Sequence, residues 1–281
     1  MSRKPEASVP EPIKAHFVLI RGLAREARHW GEFPLDLERA ASETIGGRVR
    51  VDAIDIPGAG RFSEMRCPPS MPEIAEFVRG KFQDIRQKQR EVGEQPAKHT
   101  ILVAVSLGGM LATQWLERWP DDFNGTVLIS TSFKGFSPIH HRLNPPVLKT
   151  FLDIARGKDA VAKEKQVLRL VSNRPSRYDE TAKEWATIQN SRPVSLENFA
   201  RQLLAAALFE PRLRRPPCPV LVLVSKGDRM VSPKCSLSIA ERWKTDLREH
   251  PDAGHDLPLD ESGWVIEQIL EWHRYHFPNL K

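Results

Sequence analysis

The chain has 281 residues, enough to bury a full hydrophobic core in one large domain. Hydrophobic residues make up 40% and charged residues 28% of the sequence, which excludes a disordered or fibrous protein and is typical of a globular one. The net charge is +6, but no run of lysine and arginine alternates with aromatic residues, so we expect no nucleic-acid partner.

Residues 1–14 contain charges and prolines without a continuous apolar stretch, and they predict a mobile tail rather than a signal peptide or a membrane span. We therefore expect a cytoplasmic protein. Cys67, Cys218 and Cys235 are widely spaced and form neither a C-x-x-C pair nor a zinc-finger pattern with histidines. We interpret them as unpaired thiols and expect no metal.

Short apolar runs rich in β-branched residues predict buried strands that alternate with helices along the chain. Strands buried on both faces are typical of a mostly parallel sheet, and the alternation indicates a doubly wound α/β fold. In such a sheet the functional groups gather at the carboxyl ends of the strands. The predicted strands are 16–21, 48–55, 100–106, 125–130 and 219–225, and predicted helices include 70–89, 108–119 and 260–277.

Between residues 132 and 217 the helical periodicity continues without a convincing strand. We interpret this segment as a helical cap inserted between two strands of a core that comprises 15–131 and 218–281. Residues 131–217 carry sixteen Lys and Arg against eight Asp and Glu, a net charge of +8 where the whole chain has +6. The predicted cap is therefore the basic part of the protein.

The strongest local motif is AVSLGG at 104–109, which joins a predicted strand to a predicted helix. A serine on so tight a turn has strained backbone angles, so the residues two before and two after it must be small, as Ala104 and Gly108 are. The turn exposes the Ser106 hydroxyl as a candidate nucleophile and directs the Leu107 amide toward the same point as an oxyanion-hole donor.

Two downstream segments provide the base and the orienting acid that a serine nucleophile needs. Asp228 follows the predicted strand 219–225, and His255 lies in a loop before the last helix. We predict that His255 takes the Ser106 proton and that Asp228 orients the imidazole, although Asp228 also suits a turn or an N-cap. Four other histidines could act as the base, but we interpret them as ordinary polar residues: His29, His140, His141 and His250. Asp256 follows His255 directly, and we expect it to point away from His255.

The order Ser106, Asp228, His255 resembles that of the α/β-hydrolase family, and the resemblance covers nearly the whole chain after the tail. DIPGAGRFSE at 55–64 is similar to a glycine-containing loop beside the family's site. LIRGLAREARHWGEF at 19–33 is similar to its oxyanion loop. The resemblance implies an α/β-hydrolase fold with a helical cap and a covalent acyl-enzyme mechanism without an organic cofactor.

By the same resemblance Leu23 supplies the second oxyanion amide, and Gly22 lets the backbone turn toward the substrate. The sequence departs from the family at two positions. Ala104 replaces the first glycine of G-x-S-x-G, and Arg21 replaces the usual histidine of the oxyanion loop. Alanine is small enough for the turn, whereas we expect Arg21 to affect rate and substrate preference.

These observations predict a serine hydrolase of carboxylic esters or thioesters, with a small-molecule acyl substrate that the basic cap could receive on an anionic carrier such as an acyl carrier protein. The same triad also suits acyl transfer, peroxide chemistry or C–C bond hydrolysis, and a ligand-binding protein without turnover remains an alternative. Aromatic residues that could line an acyl pocket, or else belong to the core, are Trp30, Trp115, Trp185 and Phe136.

Overall fold

One parallel sheet organises the part of the chain that the computed structural model describes, residues 11–212 and 215–278. Within those residues the sheet has six strands, and every neighbouring pair is parallel. The strands are β1 (Ala15–Ile20), β2 (Val49–Ala53), β3 (His99–Val105), β4 (Gly125–Ile129), β5 (Val220–Ser225) and β6 (Asp246–His250). Their spatial order is β2-β1-β3-β4-β5-β6, so the chain reverses its direction of travel across the sheet after β2.

Helices cover both faces of this sheet, as the sequence predicts for a doubly wound fold. Alternate strand residues point to opposite faces. Val18, Leu102 and Val222 pack on one side with the helices Met71–Glu91, Leu107–Arg118 and Lys234–Trp243. Phe17 and Ile101 pack on the other side with the helices Phe33–Ile45 and Ser262–His276. The helices are α1 (Phe33–Ile45), α2 (Met71–Glu91), α3 (Leu107–Arg118), α4 (Ile139–Arg142), α5 (Pro145–Arg156), α6 (Ala160–Val171), α7 (Tyr178–Ser191), α8 (Leu196–Leu208), α9 (Lys234–Trp243), α10 (Leu257–Asp260) and α11 (Ser262–His276).

Helices α4 to α8 lie between β4 and β5, in the segment predicted to be helical. Two buried side-chain amide groups of α8 accept hydrogen bonds from the loops that follow β1 and β2. Gln202 accepts a hydrogen bond from the Ala24 amide at 2.9 Å, and Asn198 accepts one from the Cys67 amide at 2.8 Å. The division of the chain into core and cap stays a prediction, and these bonds show only where α8 contacts the loops.

Residues 1–10 of the predicted tail lie outside the described residues. The chain is already packed before β1, because Ile13 is buried and the Lys14 amide donates to the Arg48 carbonyl at 2.8 Å. Across the described ranges, no helix combines the length and the apolar character needed to cross a bilayer.

Candidate functional site

Ser106 occupies the sharp turn between β3 and α3. Its φ of 56° and ψ of −116° lie outside the regions that ordinary L-residues favour. The Ser106 amide donates to the Ile129 carbonyl at 2.8 Å, and the Thr131 hydroxyl donates to the Ser106 carbonyl at 2.7 Å. Both bonds come from the end of β4, so the neighbouring strand holds the strained turn in place.

Small residues around Ser106 let the turn approach β1 closely. A Cβ atom at Gly108 would lie 2.8 Å from the carbonyl oxygens of both Ile20 and Arg21. A Cβ atom at Gly22 would lie 3.1 Å from the Cβ of Ser106. Ala104 is fully buried between β1 and β4, where its methyl group is accommodated. The sequence expectation that this departure from glycine is tolerated agrees with that packing.

Asp228 and His255 meet at the carboxyl end of β5. His255 Nδ1 lies 2.7 Å from Asp228 Oδ2, and both side chains are buried. The other oxygen of Asp228 accepts the amides of Met230 and Val231 at 2.8 and 2.9 Å. Asp228 therefore has both of the arrangements considered from the sequence, since it caps a turn and also contacts the imidazole.

The environment of His255 raises its pKa above the ordinary histidine value. Burial acts to lower this pKa, but the charge and hydrogen bond of Asp228 act in the opposite direction and prevail, with a smaller contribution from Asp256. Nε2 of His255 is buried and has no hydrogen-bond partner in the described chain. This nitrogen is thus available to a group in the adjoining cavity, and no hydrogen bond to Ser106 is formed here.

A cavity of about 540 Å³, a size suited to a small organic ligand, is lined by three of the five predicted site residues. Ser106, His255 and Leu23 all line it, and of the described histidines only His255 does. Helices α5 to α8 contribute most of the opposite wall, with Phe151 and Phe199 among its apolar side chains. The periodicity of these helices was visible in the sequence, but which of their faces meets Ser106 was not.

The aromatic residues proposed as pocket candidates do not line this cavity. Trp30, Trp115 and Trp185 are buried in the packing between elements, and Phe136 packs at the edge of the main core. Their alternative interpretation as core residues is the one that agrees with the structure, since each packs within or against a hydrophobic cluster.

The oxyanion-hole predictions depend on two backbone amides. Leu107 is the first residue of α3, so its amide has no acceptor within the helix. Leu23 follows Gly22 in the loop after β1 and lines the cavity beside Ser106. Both assignments stay predictions.

Two ion pairs in the cavity wall were not predicted from the sequence. Arg21 pairs with both carboxylate oxygens of Asp256, and Arg25 pairs with Glu164 of α6 at 2.8 Å. Lys158 and Lys163 also line the cavity, and neither forms an ion pair within the described chain. Each pair joins residues more than a hundred positions apart, so no local motif could have indicated them.

None of the three cysteines lines the cavity. All three are free thiols, and burial raises the pKa of Cys67 to about 12. Among the described residues no group of three or more His, Cys, Asp or Glu side chains is arranged to hold a metal ion.

By sequence, the chain matches a protein family and one known relative. A sequence profile of the Alpha/beta hydrolase family matches residues 17–268. A stretch of 153 residues, 54% of the chain, is 26% identical to the biotin biosynthesis bifunctional protein BioHC of Teredinibacter turnerae. The match spans 21% of that relative's length.

Similar solved structures share the fold at low sequence identity. A meta-cleavage product hydrolase from Pseudomonas fluorescens has a TM-score of 0.71 and 15% identity, with 95% of this chain and 93% of the other covered. A thermophilic esterase from Thermogutta terrifontis has a TM-score of 0.67 and 19% identity, with 95% and 93% covered. These likenesses confirm the predicted fold class, and the family match confirms the predicted hydrolase class. The chain belongs to the alpha/beta hydrolase family, as the residues around Ser106, Asp228 and His255 predict.

Proposed function

We propose that the protein is a serine hydrolase that cleaves carboxylic esters or thioesters through an acyl-enzyme on Ser106. The observation that carries the proposal is the shared cavity. The strained Ser106 and His255 both line it, and His255 bonds through Nδ1 to Asp228 while its Nε2 has no hydrogen-bond partner among the described residues. A nucleophile, a base and an orienting acid are the groups that acyl transfer to water requires.

In the proposed reaction the Ser106 hydroxyl attacks the carbonyl carbon while its proton passes to Nε2 of His255. The amides of Leu107 and Leu23 donate to the oxyanion that forms. His255 then gives the proton to the departing alcohol or thiol, which leaves an ester of the acyl group on Ser106. A water molecule, deprotonated by His255, attacks this ester and releases the carboxylic acid, and Ser106 recovers its proton.

The anionic carrier belongs to the same proposal. Lys158 and Lys163 stand in the cavity wall without acidic partners in the described chain, whereas Arg21 and Arg25 have theirs. A substrate whose carrier bears negative charge would meet these cations as its acyl group enters. The charge of the helical segment, +8 by count, acts in the same direction.

A fluorophosphonate probe tests the hydrolase. We expect covalent labelling of the wild type, loss of labelling in Ser106→Ala, and full labelling in Ser70→Ala, because Ser70 lies at the start of α2 and does not line the cavity. A panel of p-nitrophenyl esters of increasing chain length should show turnover that is lost in the same variant. A folded wild type that is neither labelled nor active would instead indicate a ligand-binding protein.

A further inference from the structure

A second carboxylate lies beside His255 and is held by the loop that follows β1. Asp256 is 4% exposed and accepts a hydrogen bond from Arg21 on each oxygen: Nη1 donates to Oδ1 at 3.0 Å, and Nη2 donates to Oδ2. Arg21, also 4% exposed, is the residue just before Gly22. The bidentate pair therefore connects the predicted oxyanion loop to the loop that carries His255.

The surroundings leave this pair little freedom. The Arg21 guanidinium lies over the ring of Trp30 at 4.9 Å, and the Asp256 amide donates to the Val171 carbonyl at 2.8 Å. Arg21 Nε is buried without a hydrogen-bond partner in the described chain, so the Asp256 carboxylate is the main compensation for burying this cation. Loss of either partner would leave an uncompensated charge close to His255.

Several charged groups face His255 from different elements. Asp228 follows β5, Arg21 follows β1, and Asp256 precedes α10. Within α10, Asp260 binds the Gly254 amide at 2.7 Å and the Ser172 hydroxyl at 2.6 Å. Across the cavity lie the Arg25–Glu164 pair and two lysines, Lys158 and Lys163, that have no ion-pair partner among the described residues.

Arg21 and Asp256 act on His255 with opposite sign. Burial, which lowers the pKa of His255, and Asp228, which raises it, have the largest effects on that group. Beyond them, Asp256 raises the pKa and Arg21 lowers it. With both partners present these two effects oppose each other. With one removed, the effect of the other remains.

Building on the proposed function, we propose that the Arg21–Asp256 ion pair is a positioning device for His255. Arg21 holds both oxygens of Asp256, so that Nδ1 of His255 keeps Asp228 as its carboxylate partner, and the charge of Arg21 compensates that of Asp256 beside the imidazole. The pair acts through His255 and does not itself touch the reacting atoms.

The pH dependence of kcat/KM for p-nitrophenyl acetate tests this proposal in the wild type, Arg21→Gln, Asp256→Asn and the double variant. We expect the pKa of the acid limb to rise by about one unit in Arg21→Gln, because Asp256 then acts uncompensated. It should fall by about one unit in Asp256→Asn and return close to the wild-type value in the double variant. If the ion pair served only to hold the two loops together, both single variants would lose activity without opposite shifts of the acid-limb pKa.

Arg79→Gln is the matched control. It breaks a partly buried ion pair with Asp122, 2.6 Å long, whose members do not line the cavity, so the acid limb should stay at the wild-type pH. If Arg21→Gln does not fold, Asp256→Asn and the double variant still give a comparison. Equal acid-limb pKa values in these variants and the wild type would overturn the positioning role. A wild type without fluorophosphonate labelling would overturn the proposed function itself.

Discussion

The turn at Ser106 depends on neighbouring residues that have small side chains or none. Its strained backbone is bonded on one side to the end of β4 and is pressed on the other against the carbonyl groups at the end of β1. Gly108 permits that contact because it has no side chain. The demand for a small residue two positions after the serine is therefore a packing constraint that the structure measures directly.

Replacing Gly108 with alanine tests this constraint. The new Cβ would meet two backbone oxygens at 2.8 Å, and backbone cannot move aside as a flexible side chain can. We expect the free energy of unfolding to fall by roughly 1–3 kcal/mol, and fluorophosphonate labelling to slow because the Ser106 turn shifts. Urea denaturation and labelling rates measure the two effects.

Gly80→Ala provides the comparison, since Gly80 is also in a helix and a Cβ there has nothing within 4 Å. This variant should gain about 0.5–1 kcal/mol of stability and keep the wild-type labelling rate. If both glycine variants behave alike, the close contact at Gly108 does not constrain the turn.

At the same scale, a site residue could be predicted where its neighbours in sequence mark it, and could not where its role depends on a partner far away in the chain. Ser106, Asp228 and His255 each stand at the end of a recognisable strand or loop, so local sequence suffices to propose them. The partner of Arg21 could not be predicted in this way, because Asp256 is 235 positions away and only the folded sheet brings the two together.

At the scale of elements, apolar patterning found five of the six strands within the described residues and missed β6 at one edge of the sheet. β6 has the sequence DLREH, and its middle residues are exposed at the edge of the sheet. An edge strand needs an apolar surface on fewer of its residues, so no hydrophobic run marks it. The longer helices between β4 and β5, such as α5, α6 and α8, were easier to predict, because each has an apolar face at helical spacing.

Two lysines of the segment between β4 and β5 allow a test of how the substrate is delivered. Lys158→Glu and Lys163→Glu should raise KM several-fold for an ester presented on an acidic acyl carrier protein, since two cations of the cavity wall become anions. Neutral p-nitrophenyl esters should be affected far less. The carrier-bound substrate should also show a KM that rises with salt, because screening weakens the attraction.

Lys88→Glu on the exposed side of α2 serves as the charge-matched control and should leave both values of KM unchanged. Equal effects of the three substitutions, or a KM for the carrier substrate that does not respond to salt, would contradict the proposed carrier.

For the molecule as a whole, the candidate site and a pair of packed histidines lie at opposite ends of the same sheet. The carboxyl ends of the strands carry Ser106 and Asp228. At the amino end of β3, the rings of His99 and of His273 in α11 meet edge to face, with centroids 5.8 Å apart. Phe277 packs against both imidazoles. Burying two histidine rings together favours their neutral forms, so this end of the molecule should respond to acid independently of the cavity.

His273 predicts how the stability of the fold depends on pH. Burial, with a smaller effect of the charge of His99, lowers the pKa of His273 from 6.5 to about 4. Above pH 6.5 the His273 ring is neutral in both the folded and the unfolded protein, so its burial does not reduce the free energy of unfolding. As the pH falls toward 4, the unfolded chain takes up a proton that the folded protein does not. The free energy of unfolding should therefore decrease, by roughly 3 kcal/mol from this residue.

Urea denaturation between pH 7 and 4 would measure this dependence, with His273→Gln compared to the wild type. The variant removes the titrating ring, so its unfolding free energy should fall less steeply with acid, even if it starts from a lower value. His140→Gln, at an exposed position of α4, should keep the wild-type slope. Parallel curves for the wild type and His273→Gln would mean that the acid sensitivity originates elsewhere, because only a group with different proton affinity in the two states can contribute to the slope.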